Sequence, residues 1–266
     1  MRVDLDRVSH LIKDVAAAEI LPRFDKLAAG EIEEKGPGDL VTVADKAAEL
    51  ALAPRLSELV PGSVVVGEEA AAADPSILSR LAADAPVWVI DPVDGTANFA
   101  AGIPLFGVMV GLIHRGAVVA AWIADPMRQR MAIAEAGAGA ALDGRPLTVA
   151  KPREPEHMSG ILTFRTGERD QAATVARNAA RVASHMSLRC VAHEYLLLAE
   201  GRLHFAQYNR TFPWDHAPGW LLHKEAGGYA RRLDGRAYDP GEIHAPILFA
   251  PDEESWHALK AALFHG

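Results

Sequence analysis

Four apolar residues, Val87-Trp88-Val89-Ile90, run without a polar break into Asp91-Pro92-Val93-Asp94-Gly95-Thr96. A short, wholly apolar run of this kind reads as a strand buried on both faces. Such a strand needs cover on each side, and this one delivers two carboxylates to its C-terminal end. Pro92 restricts the backbone between the acids. Gly95 permits an unusual backbone angle or the close approach of a ligand. Thr96 to Ala100 reads as a short helix whose first amides can face an anion. Taken alone, the hexapeptide also suits a helix-capping turn, since Asp, Gly and Thr are common turn residues.

The rest of the chain supplies the cover. Leu5, Val8, Leu11, Ile12, Val15 and Ala16 recur at three- and four-residue spacing, and Ile20 continues the stripe, which predicts an amphipathic helix ended by Gly30. Glu33-Glu34-Lys35-Gly36-Pro37-Gly38 reads as a flexible stretch. Leu40 to Val43 is strand-like, Asp45 to Leu59 helical, Val64 to Val66 a strand, and Ser76 to Ala83 a weak helix. Past the central run, Phe106–Ile113, Val118–Ala124 and Arg130–Ala134 read as strands, the first two joined in a hairpin through His114-Arg115-Gly116. In the second half, strands are expected at 160–163, 203–208 and 247–250. Helices are expected at 170–183, 190–201, from Pro213 to the Gly227-Gly228 stop, and at 252–264. This alternation predicts an α/β layered fold. A chain of 266 residues suits one compact unit with two halves. Residues 1–145 would carry most of the candidate ligands, and 146–266 the remainder with the substrate-selecting segments.

Charge and cysteine usage narrow the function. A formal net charge of −8 and the lack of any basic run argue against a nucleic-acid binder. Cys190 is the only cysteine, so no intrachain disulfide or thiolate metal cluster can form. The acidic N-terminus is unlike a signal peptide. Ala100 to Ile113, the longest nearly uncharged stretch, is broken by Gly and Pro and falls short of the ~20 residues that span a bilayer. The expectation is a cytoplasmic enzyme with no nucleic-acid or membrane partner.

Acids stand at the ends of elements throughout: Glu68 and Glu69 after a strand, Asp91 and Asp94 after another, Asp215 at a helix start. Singly, Glu68 reads as a surface acid and Asp215 as an N-cap. Together, with no grouped His or Cys, they favour a hard cation held by oxygen, Mg²⁺ over Zn²⁺. Metal ligands beside a phosphate-facing turn are what metal-assisted phosphate hydrolysis requires.

At Asp39-Leu40-Val41-Thr42-Val43-Ala44-Asp45, Gly67-Glu68-Glu69, Asp91 to Phe99, Pro213-Trp214-Asp215-His216-Ala217-Pro218-Gly219 and Glu225-Ala226-Gly227-Gly228, the chain resembles the inositol monophosphatase family, within the superfamily that includes fructose-1,6-bisphosphatases. The resemblance implies an α/β/α/β/α sandwich and commonly a homodimer. It implies one Mg²⁺ on Glu68, Asp91 and the Val93 carbonyl, a second on Asp91, Asp94 and Asp215, and a weaker third near Glu68 through waters. It gives Thr96, linked to Asp45, the task of orienting and deprotonating the attacking water, and makes Gly95 a phosphate contact. The substrate would be a small phosphorylated metabolite, inositol 1-phosphate first, with histidinol phosphate, fructose 1,6-bisphosphate and 3′-phosphoadenosine nucleotides as alternatives. Lithium inhibition is a family expectation. The rival from another class is a regulatory protein that kept the fold and lost turnover.

The alcohol-selecting region departs from the animal enzymes, which are Gly/Ala-rich there. Here it reads Leu188-Arg189-Cys190-Val191-Ala192-His193-Glu194-Tyr195. His193 and Glu194 either line a different alcohol pocket or face solvent at a helix start while Cys190 and Tyr195 pack. Arg210 either pairs with a second anionic group of the substrate or is a solvated loop charge. His216 is expected in packing, and Trp88, Trp122, Trp220 and Met109 in the core.

Overall fold

The computed structural model describes residues 3–36, 38–164 and 169–265. The N-terminal stripe forms helix α1 (Leu5–Val15), capped by Asp4, and continues as one wide turn over Ala16–Ile20 and a tight one over Leu21–Arg23. It stops there, seven residues before Gly30, because Pro22 has no N–H to continue the ladder. The stretch expected to be flexible is instead strand β1 (Ile32–Gly36), paired antiparallel with β2 (Asp39–Thr42); Pro37 lies outside the described residues. Helix α2 (Val43–Leu59) follows, then β3 (Val64–Gly67) and α3 (Glu68–Ala73). The weak helix near Ser76 is a tight-turn segment, Pro75–Ala82.

The central run extends through the acids as β4 (Val87–Asp94), and α4 (Thr96–Ala100) follows. Strands β5 (Gly107–His114), β6 (Ala117–Asp125), β7 (Arg130–Glu135), β8 (Gly139–Leu142) and β9 (Arg145–Pro146) complete a sheet ordered β3-β4-β5-β6-β7-β8-β9. A second sheet is built from β10 (Ser159–Leu162), β11 (Ser184–Met186), β12 (Phe205–Tyr208), β13 (Tyr229–Arg232) and β14 (Ile247–Ala250), in the order β11-β10-β12-β14-β13. Its helices are α5 (Arg169–Asn178), α6 (Val191–Ala199), α7 (Pro213–Glu225) and α8 (Glu253–Phe264). Short strands β8, β9, β11 and β13 were not foreseen from hydrophobic pattern. The helix expected over 170–183 gives way to a tight turn at Ala179–Arg181.

The alternation of β4 explains the layering. Trp88 and Ile90 pack on one face with α1 and α2, in a cluster containing Val8, Ile12, Leu52, Leu56 and Trp122. Val87 and Val89 pack on the other face with α6 and α7, in a cluster that also reaches Ala206 and Phe249 of the second sheet. The outer face of that sheet is covered by α5 and α8 through Val175, Trp256 and Leu259. The layers therefore run α/β/α/β/α. Trp88, Trp122 and Met109 are fully buried, as expected, whereas Trp220 is half-buried against Tyr238 and Lys224. No described helix is long and apolar enough to cross a membrane.

Candidate active site

The acids gather where β3 and β4 end. The β4–β5 register slips between Asp91 and Asp94, because Pro92 cannot donate to the ladder. Asp91 Oδ1 accepts the Val93 N–H at 3.0 Å, which folds the turn onto itself. Gly95 closes it with φ +85°, and a Cβ there would meet the Leu105 carbonyl at 2.9 Å and Cys190 Cβ at 3.0 Å. Both the backbone angle and the space require glycine.

Glu68 is set by an acid that the sequence did not flag. Buried Glu49, from α2, accepts the N–H groups of Glu69 and Ala70, each at 2.8 Å, and so caps α3. Gly67 leaves room for that carboxylate; a Cβ would collide with it. Glu68, Asp91 and Asp215 then present carboxylate oxygens that all lie within 4.8 Å of one another. Asp215 reaches them from the first turn of α7. Burial and mutual repulsion, Glu68 foremost among the neighbours, push Asp91 and Asp215 well above the usual carboxylate range. Glu69 is pushed to about 7, by burial first and then by Glu68.

Among the described residues, one cation is bonded to this cluster. Lys35 of β1 donates through Nζ to Glu68 Oε1 at 2.7 Å and Glu69 Oε1 at 3.1 Å. Burial opposes its charge, but the two carboxylates hold the ammonium above its ordinary range. Sequence reading placed Lys35 in a flexible stretch; the alternation of β1 was too short and too polar to show it.

Asp94 points away from this trio with one oxygen: Oδ2 accepts the Ala192 N–H at 2.6 Å at the start of α6 and lies 2.9 Å from Cys190 Sγ. Burial raises it to about 6, and these hydrogen bonds work against the rise. The Val93 carbonyl lies 3.0 Å from Thr96 Oγ1, which is also 3.1 Å from Asp45 Oδ1; its single proton serves one acceptor at a time. Asp45 is fixed through Oδ2 by the N–H of Thr42 at 2.9 Å and its hydroxyl at 2.5 Å, a capping box that leaves Oδ1 for Thr96. Burial raises Asp45 to about 6.

Beside the acids lies a cavity of about 760 Å³, lined in part by Asp39, Asp94, Phe164, Arg189, Glu194 and Arg210. The solvent-facing reading of His193 and Glu194 is overturned, since both are buried. His193 turns from the cavity, its Nε2 lying 3.1 Å from the Phe106 carbonyl, and does not line it. Glu194 lines it and accepts the Leu188 N–H at 2.8 Å and the Tyr208 hydroxyl at 2.9 Å. Burial raises its carboxyl to about 7. His216 packs as expected, with Nδ1 2.8 Å from the Tyr195 hydroxyl; burial lowers it to about 3. Arg210 is exposed at the cavity mouth, its guanidinium 4.7 Å over the Phe212 ring. Tyr208 was missed because its bond to Glu194 joins separate elements, which no local pattern records.

The model of the inositol monophosphatase family matches residues 3–265. An inositol-1-monophosphatase of Mesorhizobium japonicum is 33% identical over 80% of this chain and 79% of its own length. A Nus factor SuhB of Pseudomonas aeruginosa is also 33% identical, over 83% and 82%. Among solved structures, an inositol monophosphatase from Zymomonas mobilis superposes with a TM-score of 0.81 at 23% identity, over 97% and 96% of the two chains, and so shares the fold. Matched along nearly its whole length by the family model, and at one-third identity by a relative across four-fifths of both chains, this chain belongs to the inositol monophosphatase family and is a phosphoric monoester hydrolase.

Proposed function

We propose that the protein hydrolyses a small phosphate monoester with Mg²⁺, inositol 1-phosphate being the first candidate. The observation that carries this reading is the convergence of Glu68, Asp91 and Asp215 within 4.8 Å, beside the Gly95–Thr96 turn. The donor set is all oxygen, with Asp91 buried and Glu68 and Asp215 half-buried, and its mutual repulsion is what a divalent cation relieves, so the residues fit Mg²⁺. Glu68, Asp91 and the Val93 carbonyl would hold one ion, Asp91, Asp94 and Asp215 a second, and Glu68 a weaker third. Bound there, Mg²⁺ lowers the pKa of water and neutralises charge on the transferring phosphoryl group.

The chain's own residues handle the proton and the position. Asp45 Oδ1 accepts the hydrogen bond of the Thr96 hydroxyl, which leaves a Thr96 Oγ1 lone pair to accept one from the attacking water and orient it. Thr42 anchors Asp45 so that its free oxygen faces Thr96. Gly95 lets the phosphate approach the backbone. Glu194 and Arg210 would contact the alcohol; His193 supports the wall from behind. Asp215, from the second half, meets Glu68 and Asp91 of the first, which supports one working unit. The homodimer rests on the family resemblance alone, and the cytoplasmic setting on the single cysteine, which suits a reducing compartment. The Nus factor relative raises a regulatory reading, against which the complete oxygen donor set favours turnover.

The test is phosphate release from a panel of monoesters by purified protein in Mg²⁺ or EDTA. Turnover that needs Mg²⁺ is expected, and no turnover on any ester would overturn the reading.

A further inference from the structure

Helix α2 carries two buried acids one turn apart, Asp45 and Glu49. Residues four apart on a helix share a face. Asp45 holds the Thr96 hydroxyl. Glu49 gives both carboxylate oxygens to the turn that carries Glu68: Oε2 accepts the Glu69 N–H and Oε1 the Ala70 N–H, each at 2.8 Å. One face of α2 therefore touches both the water-orienting pair and the backbone of a metal-ligand turn.

Stability alone does not call for this arrangement. A helix start is ordinarily capped by the side chain of the residue before it. Here that residue is Gly67, which makes no side-chain cap bond. A Cβ at that position would collide with the Glu49 carboxylate. The cap instead comes from a helix twenty residues back in the sequence. Burying a carboxylate is unfavourable unless hydrogen bonds offset the loss of water. A local Ser or Asp cap would satisfy the same N–H groups without that burial. What it would not do is tie the turn to α2. Helix α3 cannot fix its own place: it has six residues, of which only Ala71 is buried. Lys35 holds the Glu68 side chain, and Glu49 holds the backbone that follows it.

We propose that Glu49 is a positioning residue for catalysis. Its carboxylate fixes the Glu68 turn against α2, and so sets the Glu68 side of the metal site in register with the Asp45–Thr96 pair. This rests on the Mg²⁺ phosphatase reading and adds to it a residue that touches neither ion nor substrate.

Glu49→Gln tests the placement with little change of size. One amide oxygen replaces two acceptors, and the amide NH₂ then faces an N–H. Mg²⁺ titrated calorimetrically into substrate-free protein should bind the variant about 10-fold more weakly than wild type, the scale expected when support behind a metal ligand is lost. At saturating Mg²⁺, kcat on inositol 1-phosphate should fall about 10-fold while KM stays within about twofold, because the Gly95 turn and the cavity wall are untouched. Glu49→Asp keeps the charge and withdraws the carboxylate by one methylene; it should bind Mg²⁺ as weakly as Glu49→Gln. Gly67→Ala displaces the same carboxylate from the other side and should weaken Mg²⁺ alike, with little further loss in the double variant. Asn178→Ala is the control for stability alone. It removes bonds to the Leu263 and His265 carbonyls on the outer side of the second sheet, and should unfold at lower urea while binding Mg²⁺ as wild type does. Wild-type Mg²⁺ affinity in Glu49→Gln, full recovery in Glu49→Asp, or an equal weakening in Asn178→Ala overturns the positioning role and leaves the metal reading standing. Wild type that binds no Mg²⁺ overturns the metal reading and this role with it.

Discussion

Two groups of buried acid stand a short way apart and are stabilised in opposite ways. Glu68, Asp91 and Asp215 face one another, and among the described cations only Lys35 is bonded to any of them. Glu194, more deeply buried than Glu68 or Asp215, is satisfied by a backbone N–H and a tyrosine hydroxyl. The first arrangement costs folding energy until a cation arrives; the second is complete as it stands. Repulsion left unrelieved in a small space marks a place for a ligand, whereas a satisfied carboxylate marks a wall.

Asp91→Asn should break the comparison most severely. Turnover should fall about 10³-fold or more, as expected for loss of a central electrostatic group. The metal-free protein should become more stable, because burial and the neighbouring carboxylates penalise this acid in the fold. Urea unfolding in EDTA measures the second effect, and a loss of stability there would show that the acids do not repel.

Asp45→Asn sharpens the contrast through pH. Folding raises Asp45 from 3.8 to about 6, chiefly by burial. Between about pH 4 and 6 the unfolded chain releases this proton while the fold keeps it, so wild type loses stability as pH rises. The variant lacks this loss, and its stability relative to wild type should climb by up to about 3 kcal/mol over that window and level off above it. A flat difference curve would place the Asp45 carboxyl in a wet environment.

Glu194→Ala should cost about 2 kcal/mol by stranding the Leu188 N–H and the Tyr208 hydroxyl. The same loss is expected with Mg²⁺ or EDTA, since no cation serves this acid; a Mg²⁺-dependent loss would join it to the metal cluster. Lys35→Met should lower the stability of the metal-free protein by about 1 kcal/mol, and saturating Mg²⁺ should erase the difference. A difference that persists in Mg²⁺ would mean that Lys35 acts through packing.

The same contrast explains what could be read in advance. Asp91, Asp94 and Gly95 share one turn after an apolar run, so local spacing exposes them. Asp45, Glu68 and Asp215 stand at element ends, where motif order shows them. The layered fold was legible because Val87 to Ile90 demand cover on both faces. The burial of His193 and Glu194 was not legible, because it depends on Phe106, Leu188 and Tyr208, which come from other elements. Lys35 and Glu49 escaped for the same reason: each acts on the Glu68 turn from a distant strand or helix. Short strands such as β11 and β13 have too few residues for a period to appear.

The most direct measurement is phosphate release from inositol 1-phosphate by the purified protein, followed through Mg²⁺ addition, EDTA and Mg²⁺ restoration, in wild type and Asp91→Asn. The acid cluster predicts turnover in wild type that EDTA abolishes and Mg²⁺ restores, with the variant near background throughout. Turnover indifferent to EDTA, or retained by Asp91→Asn, would contradict it.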